Sequence, residues 1–131
     1  MRRLFLFLYL VLISGQLQAA RVWLYENVYV EDVSTYTVGS NFIMQVKLKD
    51  YPNNTGCAPA DAHGVVYMNT TGVFNANWQL QYSTFLSAQA QGLPIDVLVD
   101  DAICNTSSGW YDFGSPAGLG FKFYGVRLDG E

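Results

Sequence analysis

The one histidine of the chain, His63, stands two residues from Asp61. An imidazole beside a carboxylate can serve as a general base, but it needs a nucleophile or a second metal ligand to act on anything. No Gly-x-Ser-x-Gly or other nucleophile motif accompanies it, so His63 reads as a loop residue. Asp100 and Asp101 are adjacent carboxylates, with Asp96 and Asp112 as further oxygen donors. Calcium takes about six to eight oxygens, and no EF-hand or repeat spacing supplies them, so the pair reads as a solvated turn. Cys57, Cys104 and His63 lack the short ligand spacing of a zinc site. The expectation is therefore a protein with no catalytic set, no metal and no cofactor. The most suggestive cluster is Trp110-Tyr111-Asp112-Phe113, three rings in a segment rich in Gly and Ser. Flat rings pack on the apolar face of a sugar while a carboxylate such as Asp112 binds its hydroxyls. These four residues are the candidate ligand-binding site. Burial of the same rings over the core or in a subunit interface is the competing structural reading.

Compartment and charge narrow the partners. Arg2 and Arg3 precede an unbroken apolar run from Leu4 to Ile13, then Ser14-Gly15-Gln16 and the small exit Ala19-Ala20. That order is the pattern of a secretory signal peptide over residues 1–20, and the run is shorter than the roughly 20 residues of a membrane span. The expected domain is then 21–131, periplasmic or secreted, with no stable membrane span. It holds five basic residues, Arg21, Lys47, Lys49, Lys122 and Arg127, against eleven acidic ones. Nucleic acid is an unfitting partner for so acidic a surface. Both cysteines fall in the exported part, where an even count favours one disulfide, Cys57–Cys104. Two free buried thiols are the alternative.

The elements that must position these groups are mostly strands. Arg21 to Tyr29 is rich in β-formers and carries Trp23, Tyr25 and Tyr29, a strand face that would suit an oligomer contact if exposed. Glu31-Asp32 is placed to bulge or turn the chain. Ser34 to Val38 is again β-like, Gly39-Ser40-Asn41 is a turn, and Phe42 to Leu48 alternates cleanly. Lys49 to His63 reads as a long loop, Val65 to Met68 as a short strand, and Thr70-Thr71-Gly72 as a turn. Asn75 to Gln91 is the one helix, with Trp78, Tyr82, Phe85, Leu86 and Gln89 on its apolar stripe. Gly92 and Pro94 end it. Ile95 to Val99 is a strand, Asp100 to about Leu119 a second loop, and Gly120 to Leu128 the last strand. The order β-β-β-α-β-β, with a long bent first strand, is that of the OB-fold. This is a five-stranded Greek-key barrel with its helix between strands three and four. An open α+β sheet is the alternative.

The stretch Leu80 to Val99, with Leu86-Ser87-Ala88-Gln89-Ala90-Gln91-Gly92-Leu93-Pro94-Ile95, resembles a family of small exported proteins of Gram-negative bacteria. Cys57 before Val65, Cys104 in the following loop and the closing Phe123-Tyr124-Gly125-Val126-Arg127-Leu128 extend the likeness. The layout is also similar to the OB-folded B subunits of subtilase-type and pertussis-type toxins, which pentamerise and bind cell-surface sugars. The resemblance covers Cys57 to Leu128 and rests on fold motifs; no ligand-contacting residue is carried over from it. It implies an exported binding module, carbohydrate-binding in the manner of toxin B subunits, with a homo-oligomer as one state. The alternative is an accessory protein-interaction subunit of the envelope. A bacterial source would make the Asn-x-Ser/Thr triplets at Asn53, Asn69 and Asn105 chance matches rather than glycosylation sites.

Overall fold

The computed structural model describes residues 20–50, 57, 64–71, 76–106 and 118–129. Six strands and one helix follow in the order β1 (Arg21–Val28), β2 (Val30–Val38), β3 (Asn41–Leu48), β4 (Val65–Thr71), α1 (Ala76–Gln91), β5 (Ile95–Asn105) and β6 (Gly120–Leu128). They form one mixed sheet in the order β1-β5-β6-β4-β3-β2, with β4 and β6 parallel and every other pair antiparallel.

Mainly β architecture with a single helix matches the sequence-based expectation; a closed barrel of five strands does not. The expected first strand is two strands. Asn27 takes a left-handed φ of 54°, a conformation that Asn tolerates better than most residues. Pairing with β5 ends at Val28 and pairing with β3 starts at Val30. Only Tyr29 lies between, yet β1 and β2 stand at opposite ends of the hydrogen-bonded order. A flat sheet of this width would separate its end strands by about 24 Å, whereas residues two apart along the chain lie within about 7 Å. The sheet must therefore curl until its two ends meet at Tyr29. The Lys49 N–H donates to the Tyr29 carbonyl at 2.8 Å and ties that corner to the end of β3.

Curling creates an interior. One apolar cluster draws on Tyr25 of β1, Val30 of β2, Met44 and Leu48 of β3, Val66 of β4, Val97 of β5, Phe121 and Phe123 of β6, and Trp78, Phe85 and Ala88 of α1. The helix begins and ends close to its expected bounds, and its stripe is Trp78, Phe85 and Ala88 with Tyr82 half-buried. Leu86 and Gln89 face outward instead, since Ala88 is the residue whose small side chain fits against the sheet. Gly92 at φ 63° closes the C-terminus. The Leu93 N–H donates to the Ala88 carbonyl and the Gly92 N–H to that of Gln89, the two bonds of a Schellman motif.

Two further boundaries moved. β4 runs on to Thr71 rather than turning at Thr70, because it pairs with β3 along its whole length. β5 runs through Asp100 to Asn105, where a loop was expected. The polar pair is absorbed by a bulge: Asp100 pairs with Lys122, and pairing resumes at Cys104 with Phe121. The Asp100 carboxylate accepts the Ala102 N–H at 3.0 Å and satisfies the bulged backbone. The expected kink at Glu31-Asp32 is present as a register shift between Val30 and Asp32. The aromatic face of the first strand divides, with Tyr25 buried and Trp23 and Tyr29 exposed.

Candidate functional site

A half-open cleft of about 350 Å³ lies between the β2–β3 hairpin and the first turn of α1, lined by Thr35, Tyr36, Thr37, Phe42, Ile43 and Trp78. Its geometry follows from strand periodicity. Thr35 and Thr37 are two apart on β2 and therefore share a face, opposite Met44 and Phe42 of β3. That face continues inward to the core, where Met44 is fully buried. Trp78 closes the cleft from the helix side and stacks on Tyr82 with ring centroids 5.3 Å apart. On the same rung as Thr37 and Phe42, Thr70 of β4 has a buried hydroxyl oxygen with no hydrogen-bond partner among the described residues. Burial pushes the Tyr36 phenol up to about 12. Among the described residues that line it none is charged at neutral pH, so these residues combine aromatic surface with hydroxyls. Its volume lies within the range of small-molecule pockets.

A second constellation lies on the outer face of β1, β5 and β6. Asp96, only 4 % exposed, accepts the Asn27 N–H at 2.9 Å and the Arg127 Nε–H at 2.8 Å. The Asn27 bond foremost, and then the Arg127 guanidinium, hold its carboxyl below the usual carboxylate range. Arg127 also lies over the Trp23 ring, 4.2 Å from its centroid, and Arg21 lies over Tyr124 at the same distance.

Cys57 and Cys104 form a disulfide pair with Cα atoms 5.6 Å apart, and Cys57 is buried. The bridge fastens the segment before β4 to the far end of β5. The neighbouring groups hold the same region: Asn105 Nδ2 donates to the Gly118 carbonyl, and the Leu119 N–H donates to Gln45 Oε1 at 3.0 Å.

Trp110, Tyr111, Asp112 and Phe113 lie outside the described residues, as do Asp61 and His63. The carboxylates Asp96 and Asp100 are separated into different roles, one binding Arg127 and the other a bulge amide. Among the described residues no group of three or more His, Cys, Asp and Glu gathers to hold a metal ion. Likewise no described helix is long and apolar enough to cross a membrane. Sequence reasoning assigned Trp78 to the core and passed over Thr35, Thr37 and Phe42. The available signal was Thr-Tyr-Thr before the Gly39-Ser40 turn, which sets two hydroxyls on one strand face.

These features define a mainly β, disulfide-bearing domain with one helix and a neutral, ring-and-hydroxyl cleft. Comparison with protein families, with characterised proteins and with solved structures returns no match.

Proposed function

We propose that this chain is an exported, non-enzymatic binding module that takes a neutral carbohydrate in the cleft between the β2–β3 hairpin and α1. The carrying observation is the composition of that cleft: Phe42 and Trp78 beside the hydroxyls of Thr35 and Thr37, with no charge among the described lining residues. Sugars present apolar ring faces and many hydroxyls, and such a surface answers both. Export accords with the signal-like residues 1–20 and with the disulfide pair.

The scaffold is read as OB-like in its winding. The parallel β4–β6 pair, the helix between β4 and β5, and a first strand whose halves sit at opposite ends of the sheet all support that reading. An assembly role is the second reading, favoured by Leu80 of α1, which is 65 % exposed on a helix without a single charge.

A glycan array probed with the oxidised protein, full chain after natural processing, tests the proposal. Thr37→Lys fills the cleft from an exposed position, and Trp110→Ala reports separately on the aromatic segment. Binding abolished by Thr37→Lys in a protein with an unchanged circular dichroism spectrum is the expected result. A folded protein that binds no glycan, or binds equally well with Lys at position 37, overturns it.

A further inference from the structure

The helix side of the cleft between the β2–β3 hairpin and α1 is one ring, Trp78, of which only 4 % is exposed. An indole set so deep meets the cleft through a small patch, and its tilt decides which atoms that patch contains. The tilt has an identifiable cause. Side chains of an α-helix lean toward its N-terminus, so a residue covers the turn before its own, and residues four apart are neighbours. Tyr82 follows Trp78 by four residues and therefore lies over the turn that carries the indole. The two rings stack with centroids 5.3 Å apart and planes 27° from parallel, the geometry of an offset aromatic pair. Tyr82 is half-buried against the core and is not among the described residues that line the cleft. Its effect on the cleft therefore passes through Trp78.

The frame behind Tyr82 is fixed in turn. Its neighbour Gln81 donates from Nε2 to the Tyr124 carbonyl of β6 at 3.2 Å. Phe85, just under one turn on, is fully buried and meets Phe123 edge to face at 5.2 Å. Gln89 Nε2 donates to the Glu31 carbonyl of β2 at 2.8 Å. The helix is thus held to β6 and to β2, against rolling about its axis, and the Tyr82 ring has a set position above Trp78. An unbraced indole would sample several tilts, and selecting one of them on binding would lower affinity. We propose that Tyr82 is a positioning residue of the cleft: its ring sets the tilt at which the Trp78 indole meets a sugar ring. The sugar in this role comes from the carbohydrate reading of the cleft, on which it rests. The hold of Tyr82 on the indole exists already in the ligand-free protein.

The test is fluorine NMR of the oxidised protein labelled with 5-fluorotryptophan, in which the Trp78 signal is the one missing from Trp78→Phe and the Trp23 signal the one missing from Trp23→Phe. Tyr82→Leu keeps a good helix former and an apolar contact but removes the ring, whereas Tyr82→Phe keeps the ring. Without ligand, the Trp78 signal should shift or broaden in the Leu variant and return close to its parent position with Phe, while the Trp23 signal stays in place. Titration with the methyl glycosides of galactose, mannose and N-acetylglucosamine follows at the same signal. Kd should be about two- to tenfold higher with Leu than in the parent, the size of one aromatic pair, and unchanged with Phe. Tyr82→Gln, also a good helix former, takes the place of the Leu variant if that chain fails to fold. A Trp78 signal unmoved by loss of the ring, or moved with no change in Kd, overturns the proposal. A Leu variant that is only less stable in urea, with signal and Kd unchanged, does so too. A parent protein that binds none of these glycosides and no arrayed glycan overturns the carbohydrate reading and the sugar's place in this role, and the ligand-free Trp78 signal then decides alone whether Tyr82 holds the indole.

Discussion

Asp96 shows how one side chain joins local backbone to tertiary packing. It satisfies the Asn27 N–H, where β1 leaves regular strand geometry, and it anchors Arg127 on the next strand over. Because its folded-state pKa is depressed below the ordinary aspartate value, the unfolded chain binds the proton more tightly than the folded one. The stability it contributes is present above that value and is lost as pH falls through the folded pKa. Asp96→Asn should cost about 2 kcal/mol at pH 7, the range of hydrogen bonds to charged groups. The difference from the parent should shrink as pH falls through the depressed folded-state range of Asp96, read in urea titrations at several pH values. Gly118 makes a sharper point about space. Its φ is +102°, and a Cβ there would lie 2.5 Å from the Cβ of Tyr67. Gly118→Ala combines strain with overlap and should lose about 3 kcal/mol. Gly92→Ala has strain alone, with nothing within 4 Å, and should lose about 1 kcal/mol. A pair of thermal melts decides whether that ordering holds.

At the scale of elements, α1 works as a plug. β4 and β6 are paired only at Val66–Phe121 and Tyr67–Lys122, which leaves a seam beyond those residues. Gln81 Nε2 donates to the Tyr124 carbonyl across that seam at 3.2 Å, and Gln89 Nε2 donates to the Glu31 carbonyl at 2.8 Å. The helix thus serves backbone groups on β6 and β2 that strands leave unpaired, while Phe85 meets Phe123 edge to face at 5.2 Å. Phe85 is fully buried, so Phe85→Ala should lower stability by about 3–5 kcal/mol. Chemical denaturation measures this directly, and a loss below about 1 kcal/mol would mean that the helix does not hold the curled sheet.

For the whole molecule, the disulfide is the main covalent constraint. Its ends are 47 residues apart, and a loop of that length restricts the unfolded chain by about 4 kcal/mol in the chain-entropy account. Reduction should lower the unfolding midpoint markedly, and a Cys57→Ala, Cys104→Ala double variant should behave like the reduced protein in the same denaturation experiment. A reduced form as stable as the oxidised one would show that strand pairing alone holds the end of β5.

Local pattern determined a good deal here. The alternation of Phe42 to Leu48 and the run from Gly120 to Leu128 announce strands, because each residue type sits well on a pleated surface. Trp78, Tyr82 and Phe85 with Gly92 and Pro94 announce the helix and its stop. These signals are short-range, and so they are readable along the chain. The break at Tyr29 was not readable, since Tyr25 and Tyr29 are equally good β-formers; what separates β1 from β2 is that each pairs with a different distant strand. The extension of β5 through Asp100 was hidden for a related reason, because its stabilising partners, Lys122 and Phe121, are far along the chain. Likewise Thr35, Thr37 and Trp78 look unrelated in sequence. They line one cleft only because curling of the sheet carries β2 against the first turn of α1. Periodicity determines which face a side chain takes, but long-range pairing decides which faces meet.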